Sequence, residues 1–200
     1  MKTSDKISSS LEESILRGDY KDGQQLNEIN LSRQFNVSRT PIREALQKLT
    51  KSGLVEQIHG RGVFVRQPGA NELFELFELM AELESSCGRL AAMRISESAL
   101  DELHDANAKC KVAMLAGEAD NYYYANRVFH SVIYRESGNS VLERETKRLH
   151  QRLKPYRRIQ LQVRGRMPQS MSEHEKIVDA LRLGDAETAA QLLRGHVAIQ

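Results

Sequence analysis

Residues 37–65 read VSRTPIREALQKLTKSGLVEQIHGRGVFV, and the pattern of this segment changes from helical to strand-like halfway along. Ser38 is a favourable N-cap residue, and Pro41 falls in the first helical turn, where a missing N–H costs little. The apolar residues that follow have the spacing of one helix face: Ile42, Ala45, Leu46 and Leu49. Short strands are expected at 54–58 and 62–66, joined by His59-Gly60-Arg61. The segment therefore predicts a helix followed by a β-hairpin.

Two shorter helices are predicted upstream. The first ends at Gly18, and the second follows Asn30. Their apolar faces consist of Leu11, Ile15 and Leu16 in the first helix, and Leu31 and Phe35 in the second. Residues 35–37 then form a tight turn before the helix that starts at Ser38. A short helix, a tight turn and a second helix are the layout of a helix-turn-helix.

The exposed start of the third helix carries residue types suited to DNA, namely Ser38, Arg39, Thr40 and Arg43. Hydroxyls bond to phosphate, and arginine binds guanine in bidentate fashion. The helix N-terminus adds partial positive charge, and the hairpin tip at 59–61 is small and basic enough to enter a groove. The alternative is a solvated helix start beside an ordinary hairpin, which is the better interpretation of any single arginine here.

The composition is that of a folded protein, since 40% of the 200 residues are hydrophobic and 28% are charged. The longest apolar run, residues 112–116, is too short to cross a membrane, and the first ten residues lack the apolar core of a signal peptide. The two cysteines, Cys87 and Cys110, have no CxxC spacing, which indicates reduced thiols. We therefore expect a cytoplasmic protein with no membrane partner.

The net charge of +2 conceals an asymmetry along the chain. Residues 1–66 hold 11 basic and 8 acidic side chains, whereas residues 67–200 hold 18 and 19. The hydrophobic pattern changes at the same place, around the sequence Gln67-Pro68-Gly69-Ala70. We expect a DNA-reading domain over residues 1–66, a linker over 67–70 and a second domain over 71–200.

The second domain is predicted to be an all-α antiparallel bundle, because its apolar residues keep helical spacing throughout. The expected helices span 71–94, 97–116, 120–137, 140–163, 171–183 and 185–198. The expected N-caps are Asn71, Asp120 and Asp185, with a capping box at Ser172-x-x-Glu175. The expected helix ends are at Gly117, Gly138 and Gly184, and Pro155 is expected to kink the fourth helix. The whole chain is thus mostly α.

Four residues of this bundle form a candidate metal site. Asn126 and His130 are four apart and share a helix face, and His174 and His196 lie on two helices that a short turn makes antiparallel. Three imidazoles and an amide oxygen suit Zn²⁺, Ni²⁺ or Mn²⁺. On spacing alone, hydrogen-bonded core or surface histidines are the favoured interpretation.

Residues 8–66 resemble the winged helix-turn-helix of the GntR family of bacterial transcription regulators, and the SRTPIREAL segment carries most of the resemblance. The resemblance implies a three-helix domain with a β-hairpin wing. It implies DNA contacts at Ser38, Arg39, Thr40, Arg43, His59 and Gly60, and we add Arg61 at the wing tip. Some relatives carry a further DNA-contacting arginine early in the second helix, where this chain has Ile29. That contact is either missing or supplied by Arg33.

The second domain contains the pattern NRVFH…GN…EHEKIVDAL…GDAETAAQLLRGHV, which starts at Asn126 and is similar to the FCD ligand-binding domain of the FadR-type subfamily. The resemblance implies a divalent metal held by Asn126, His130, His174 and His196. Most relatives have Asp at the position of Asn126, so this chain would surround the metal with four neutral ligands. Such a site should bind metal more weakly and accept an anion more readily.

A metal with four neutral ligands keeps its two positive charges, so we hypothesise that the effector is a small carboxylate that completes the coordination of the metal. Residues 144–166 hold nine basic side chains against one acid, and the arginines at the distal end are candidates to clamp it: Arg157, Arg158, Arg164 and Arg166. Relatives frequently have a basic residue where this chain has Met80, so a clamping arginine should come from this run. For most of its members a solvated helix face is the simpler interpretation.

The expected function is a homodimeric transcription regulator that binds a short DNA palindrome, with an affinity controlled by the effector in its C-terminal domain. Relatives are mostly repressors, so we expect repression. A metalloenzyme built on the three histidines is one alternative, but the sequence has no HExxH or paired-carboxylate motif. An architectural DNA-binding protein with a metal-stabilised dimerisation domain and no effector is another. We therefore expect no enzymatic activity.

Overall fold

The chain divides into two compact units, separated between Ala70 and Asn71, in a computed structural model that describes residues 2–198. One cluster of buried apolar side chains lies within the N-terminal unit. Two further clusters lie within the C-terminal unit. Each unit therefore has a hydrophobic core of its own.

The N-terminal unit contains three helices and a small antiparallel sheet. Its elements are α1 (Thr3–Leu16), β1 (Gln25–Leu26), α2 (Glu28–Phe35), α3 (Arg39–Lys51), β2 (Val55–Ile58) and β3 (Gly62–Val65). The core is formed where the predicted apolar faces meet, with Leu11, Ile15, Leu31, Ile42, Leu46 and Leu49 all buried. The predicted helices and hairpin are confirmed.

Two details of this unit differ from the sequence prediction. Helix α2 begins three residues earlier than expected, because the Asn27 side chain caps it by accepting hydrogen bonds from the N–H groups of Ile29 and Asn30. The hairpin also gains a third strand, since β1 pairs with β3 and gives the strand order β1-β3-β2. A strand of two residues has no hydrophobic alternation by which it could be predicted.

The turn between α2 and α3 sets the start of α3. Asn36 adopts a left-handed conformation, with φ 50°, at the C-cap of α2. Asn tolerates this conformation better than most residues, because its short polar side chain bonds locally. The chain thereby reverses over residues 36–38, and the exposed Ser38 becomes the N-cap of α3.

The C-terminal unit is all-α over its described residues. Its helices are α4 (Ala70–Ala92), α5 (Glu97–Leu115), α6 (Ala119–Glu136), α7 (Ser140–Gln160), α8 (Arg166–Arg182) and α9 (Ala186–Val197). The predicted helix ends are confirmed, since a C-cap directly precedes each of Gly117, Gly138 and Gly184. Helix α7 runs through Pro155 as one element.

The N-termini of these helices were the least predictable feature. Helix α8 begins at Arg166 after a left-handed Gly165, so the expected capping box at Ser172 and Glu175 is wrong and lies inside the helix. Asn71 lies within the first turn of α4, and Glu118 rather than Asp120 is the N-cap of α6. Asp185 does cap α9, accepting from the N–H of Thr188. Among residues 2–198, no helix combines the length and apolarity needed to span a membrane.

Candidate functional site

The start of α3 presents an exposed polar surface in the N-terminal unit. Ser38, Arg39, Thr40 and Arg43 are all exposed. The hydroxyl of Ser38 makes no capping hydrogen bond to the helix, so it is available to an external acceptor or donor. The N–H groups in the first turn of a helix have no intrahelical acceptor, so the start of α3 favours a phosphate group.

Glu28 joins the two arginines of this surface. Its Oε2 accepts from Arg39 Nη2 at 2.8 Å and from Arg43 Nε at 2.9 Å, while its Oε1 lies 3.0 Å from the same Arg43 atom. Partial burial alone would raise the pKa of Glu28, but the two arginines outweigh it and lower that pKa below its ordinary value. One carboxylate at the start of α2 thus orients both guanidinium groups.

Arg33 lies in the last turn of α2, four residues after Ile29 and therefore on the same face. Both side chains are exposed, Ile29 at 47%. The Arg33 guanidinium forms no ion pair within residues 2–198. It is therefore available to an external anion, one helical turn from Ile29.

The wing tip is a three-residue turn between β2 and β3. Gly60 has a φ of +70°, which a residue with a side chain adopts only with strain, and His59, Gly60 and Arg61 are all exposed. The Arg61 carbonyl oxygen accepts a hydrogen bond from Gln25 Nε2 at 2.8 Å. The guanidinium group of Arg61 lies 5.7 Å from the centre of the Phe64 ring. Strand β1, which carries Gln25, therefore supports the basic wing tip.

Three histidines converge in the interior of the C-terminal unit. His130 on α6, His174 on α8 and His196 on α9 are buried, and each offers a ring nitrogen within 4.8 Å of those of the other two. The Nε2 atoms of His130 and His196 are 3.2 Å apart. His174 Nε2 is buried without a hydrogen-bond partner, and its ring stacks on Phe129 at 4.0 Å. The three histidines thus face one point inside the unit, as the sequence predicts for His174 and His196.

Each of these histidines has an oxygen against its other ring nitrogen. Glu84 Oε2 lies 2.9 Å from His130 Nδ1, and Glu173 Oε2 lies 2.5 Å from His196 Nδ1. Asn107 Oδ1 lies 2.9 Å from His174 Nδ1. Metal-binding histidines are oriented in this way, with one nitrogen held by an oxygen and the other directed at the metal. The nitrogens left to face one another are the Nε2 atoms.

The three histidines are neutral in this environment. Burial lowers the pKa of His174 well below its ordinary value and that of His196 to about 4. Burial also lowers the pKa of His130, although Glu84 opposes this. A neutral imidazole with an available nitrogen is what a divalent metal requires, so the donor set fits the predicted ion.

Glu84 is the buried acid of this centre, and sequence reasoning missed its role. Its Oε1 accepts from Arg157 Nη1 at 2.9 Å and from the Tyr134 hydroxyl at 2.6 Å. Burial would raise the pKa of Glu84, but His130 and Arg157 lower it well below its usual range. A signal was available, because Glu84 lies one helical turn after Met80 and one before Cys87, both buried on the same face of α4.

Asn126, the predicted fourth ligand, is 4% exposed, and its Oδ1 has no hydrogen-bond partner. It lines the same small internal space as His196, Arg157 and Arg166, with a volume of about 20 Å³. A space of this size holds little more than one water molecule. A buried amide oxygen without a partner, in the same space as His196, fits a metal ligand, but this space has no room for a carboxylate effector.

The four arginines expected to clamp an effector are not all brought together. Arg157 is buried against Glu84, and its Nη2 lies 3.4 Å from His130 Nε2. Arg166 lines both the internal space and an open cavity of about 320 Å³, which Arg164 also lines. Arg158 instead bonds to Asp120, whose side chain is 59% exposed, and lines neither space.

Comparison with known proteins divides the chain in the same way. The profile of bacterial regulatory proteins of the gntR family matches residues 3–65, and that of the FCD domain matches residues 75–198. The "Probable D-xylose utilization operon transcriptional repressor" of Paenarthrobacter nicotinovorans is 30% identical over 193 residues, covering 92% of this chain and 80% of that protein.

Two further similarities are more limited. The Nta operon transcriptional regulator of Aminobacter aminovorans is 43% identical over 86 residues, which cover 43% of this chain and only 41% of the relative's length. The solved structure of E. coli McbR/YncC has a TM-score of 0.72 at 23% identity, covering 98% of this chain and 94% of the other, and so shares its fold. From the profiles and the full-length relative, the chain belongs to the gntR family of bacterial regulatory proteins with a C-terminal FCD domain, and it is a transcriptional regulator rather than an enzyme.

Proposed function

We propose that this regulator is a cytoplasmic homodimer that binds a short palindromic operator through α3 and the wing, and that it represses until a small carboxylate binds its C-terminal unit. The exposed cluster at the start of α3 carries the DNA-binding part of the proposal. A two-fold dimer matches a palindrome, because each copy reads one half-site. The relative from Paenarthrobacter nicotinovorans, named as a repressor, supports repression.

Each exposed residue has a defined role on DNA in this proposal. Arg39 and Arg43 reach base edges from α3, where arginine binds guanine best. Ser38 and Thr40 donate to phosphate together with the helix N-terminus. Arg33 contacts the backbone, and His59, Gly60 and Arg61 at the wing tip enter the neighbouring groove. Since several of these contacts are to phosphate, the operator affinity should fall steeply with salt.

The test is a gel-shift titration with an operator selected from random DNA. Arg39→Ala and Arg43→Ala should each lose specific binding, since one good base contact is worth about 1–3 kcal/mol. Arg17→Ala is the matched control, because Arg17 is an exposed arginine of the same unit that follows α1 and pairs with Asp19 rather than with Glu28. Wild-type operator affinity in Arg43→Ala, or an equal loss in Arg17→Ala, would contradict the assignment.

We also propose that His130, His174, His196 and Asn126 hold a divalent metal, with Zn²⁺, Ni²⁺ and Mn²⁺ the candidates. The support is three buried histidines whose ring nitrogens lie within 4.8 Å of one another, each with an oxygen within 2.9 Å of its Nδ1. A bound ion would cross-link α6, α8 and α9, and the surrounding oxygens would fix the ring orientations.

Metal content measured after loading and desalting tests this site. Wild-type protein should retain about one zinc ion per chain, and His174→Ala should retain almost none. His104→Ala is the matched control, because His104 is exposed on α5. Equal retention by His174→Ala and wild type would exclude the site.

A further inference from the structure

One face of α4 carries apolar side chains that residues 2–198 leave partly exposed. Its two ends are the most exposed, with Leu79 at 51% and Met93 at 57%, and the positions between them are only partly buried. The face, here called the α4 seam, consists of five residues whose spacing alternates between four and three: Leu79, Leu83, Ser86, Leu90 and Met93. A largely apolar repeat of seven residues is typical of the line along which two helices pair.

The two sides of the α4 seam differ in exposure. On one side, Met80 and Cys87 are buried in the core of the same unit. On the other side, Glu82 and Arg89 are exposed, and they are seven residues apart, at equivalent positions of the repeat. Charged side chains of α4 can therefore meet a partner helix on only one side of the seam.

This one-sided arrangement sets the direction of a partner helix. In a parallel pair of identical helices, the charged side of one would face the buried side of the other, whereas in an antiparallel pair the two charged sides face each other. The central layers of an antiparallel pair join Leu83 to Ser86 of the second copy. In that register, Glu82 comes opposite Arg89 of the second copy, and the opposite charges attract.

The residues of the α4 seam suit a second copy of the same helix. Arg89 forms no ion pair with any residue that the structure describes, and Glu82 pairs with Arg194 in an exposed position. A two-fold axis would make each ion pair between copies occur twice. In the central layers a large side chain, Leu83, faces a small one, Ser86, which allows the two surfaces to interdigitate.

We propose that the α4 seam is the homodimer interface of the C-terminal unit, with two α4 helices antiparallel and Glu82 of each copy paired with Arg89 of the other. The inference rests on the homodimer proposed above, and it adds the surface, the direction and the register of the pairing. The apolar layers supply the affinity, and the ion pairs select the antiparallel orientation.

Charge reversal tests this register, with the dimer dissociation constant of the full chain measured by sedimentation equilibrium. Arg89→Glu and Glu82→Arg each bring like charges together at two places, so each should weaken dimerisation roughly tenfold or more. The double variant restores opposite charges and should recover most of the affinity. The two positions lie about 10 Å apart along one helix, and the pair with Arg194 stays broken, so recovery must come from contact between copies.

Lys109→Glu is the matched control for Arg89→Glu. Lys109 is an exposed cation on α5, and its reversal changes the net charge by the same amount, so dimer affinity should stay at the wild-type value. Leu79→Glu tests the apolar layers, because the carboxylate would lie against Leu90 of the second copy. Since Leu79 is half exposed in the single chain, this variant should fold and yet dimerise more weakly.

The outcomes separate the surface from the homodimer itself. A wild type that sediments as a monomer overturns both. A wild-type dimer whose affinity survives Arg89→Glu and Leu79→Glu overturns the α4 seam and leaves the homodimer standing, and so does an equal loss in Lys109→Glu. Weakening by both charge reversals with no recovery in the double variant overturns the antiparallel register.

Discussion

Glu28 orients the two arginines on which operator binding is proposed to depend, and its charge also opposes DNA. Non-operator phosphates must compete with this carboxylate for Arg39 and Arg43, whereas base edges in the correct operator reward the oriented geometry. We expect Glu28→Gln to strengthen binding to non-operator DNA more than to the operator. The ratio of the two affinities should fall roughly tenfold, or ~1.4 kcal/mol.

Glu44→Gln provides the control for this change. Glu44 is an exposed acid on α3, and within residues 2–198 it has no arginine partner. Its replacement removes the same charge without releasing a guanidinium group. Gel shifts on operator and random duplexes should show an unchanged affinity ratio for Glu44→Gln. An equal fall in both variants would mean that net charge, and not the orientation of the arginines, sets the ratio.

The buried pair of Glu84 and Arg157 gives a prediction about stability. Both side chains are almost fully buried, so removing one leaves the other charge uncompensated in the interior. Glu84→Gln and Arg157→Gln should each lower the free energy of unfolding by about 3–5 kcal/mol, and the double variant should lose far less than the sum. Urea denaturation in EDTA measures the cycle.

The exposed pair of Glu82 and Arg194 is the comparison for that cycle. These side chains are 55% and 63% exposed, so Glu82→Gln should cost no more than about 1 kcal/mol. Additive losses in the Glu84 cycle would show that the two buried charges do not depend on each other.

The residues that orient the histidines could not be predicted from the sequence. Helical spacing and the family resemblance together direct attention to His130, His174 and His196. Their oxygen partners Glu84 and Asn107 come from α4 and α5, at 46 and 67 residues from the histidines they contact. Such pairings depend on how distant helices pack, which local periodicity does not encode.

Helices α4 and α9 approach each other closely at Gly88, because this residue has no side chain. A Cβ at this position would collide with the buried Leu193 side chain and lie 3.2 Å from the Ala189 carbonyl oxygen. Gly88→Ala gains helix propensity of up to about 1 kcal/mol, but overpacking a core costs about 1–3 kcal/mol. We expect a net loss of stability, measured by thermal unfolding.

Gly195→Ala in α9 is the matched substitution. A Cβ there meets no atom within 4 Å, so only the gain in helix propensity remains and stability should rise by up to about 1 kcal/mol. Because α9 also carries His196, Gly88→Ala should reduce metal retention as well. Stabilisation by both substitutions would show that α4 and α9 separate without cost.

The elements differ in how far their sequences specify them. Helix α3 is amphipathic, has Ser38 as its N-cap residue and is followed by Gly53 directly after its C-cap, so its sequence defines both ends. Helix α8 begins instead at Gly165 and Arg166, without a side-chain cap. Ser172 and Glu175 have the spacing of a capping box, which predicts a helix start near residue 171. The helix instead begins at Arg166, more than one turn earlier. Local rules predict a helix end only where no tertiary contact overrides them.

The two units have separate hydrophobic cores, so the whole chain should unfold in more than one step. Each buried cluster lies within one unit, so each unit can lose its packing without the other. Scanning calorimetry should therefore resolve two transitions. A ligand stabilises only what it binds, by about 2.7 kcal/mol at a hundredfold excess over Kd.

The two ligands proposed for this regulator should then act on different transitions. Zn²⁺ should raise the transition of the C-terminal unit, EDTA should reverse that shift, and His174→Ala should lack it. Operator DNA should raise the transition of the N-terminal unit in wild type and His174→Ala alike, because the residues proposed to bind DNA all lie within residues 33–61. A single transition that shifts to higher temperature with either Zn²⁺ or operator would show that the two units unfold together. In that case, a ligand that stabilises one unit also stabilises the other, and an effector can alter DNA binding through this shared stability.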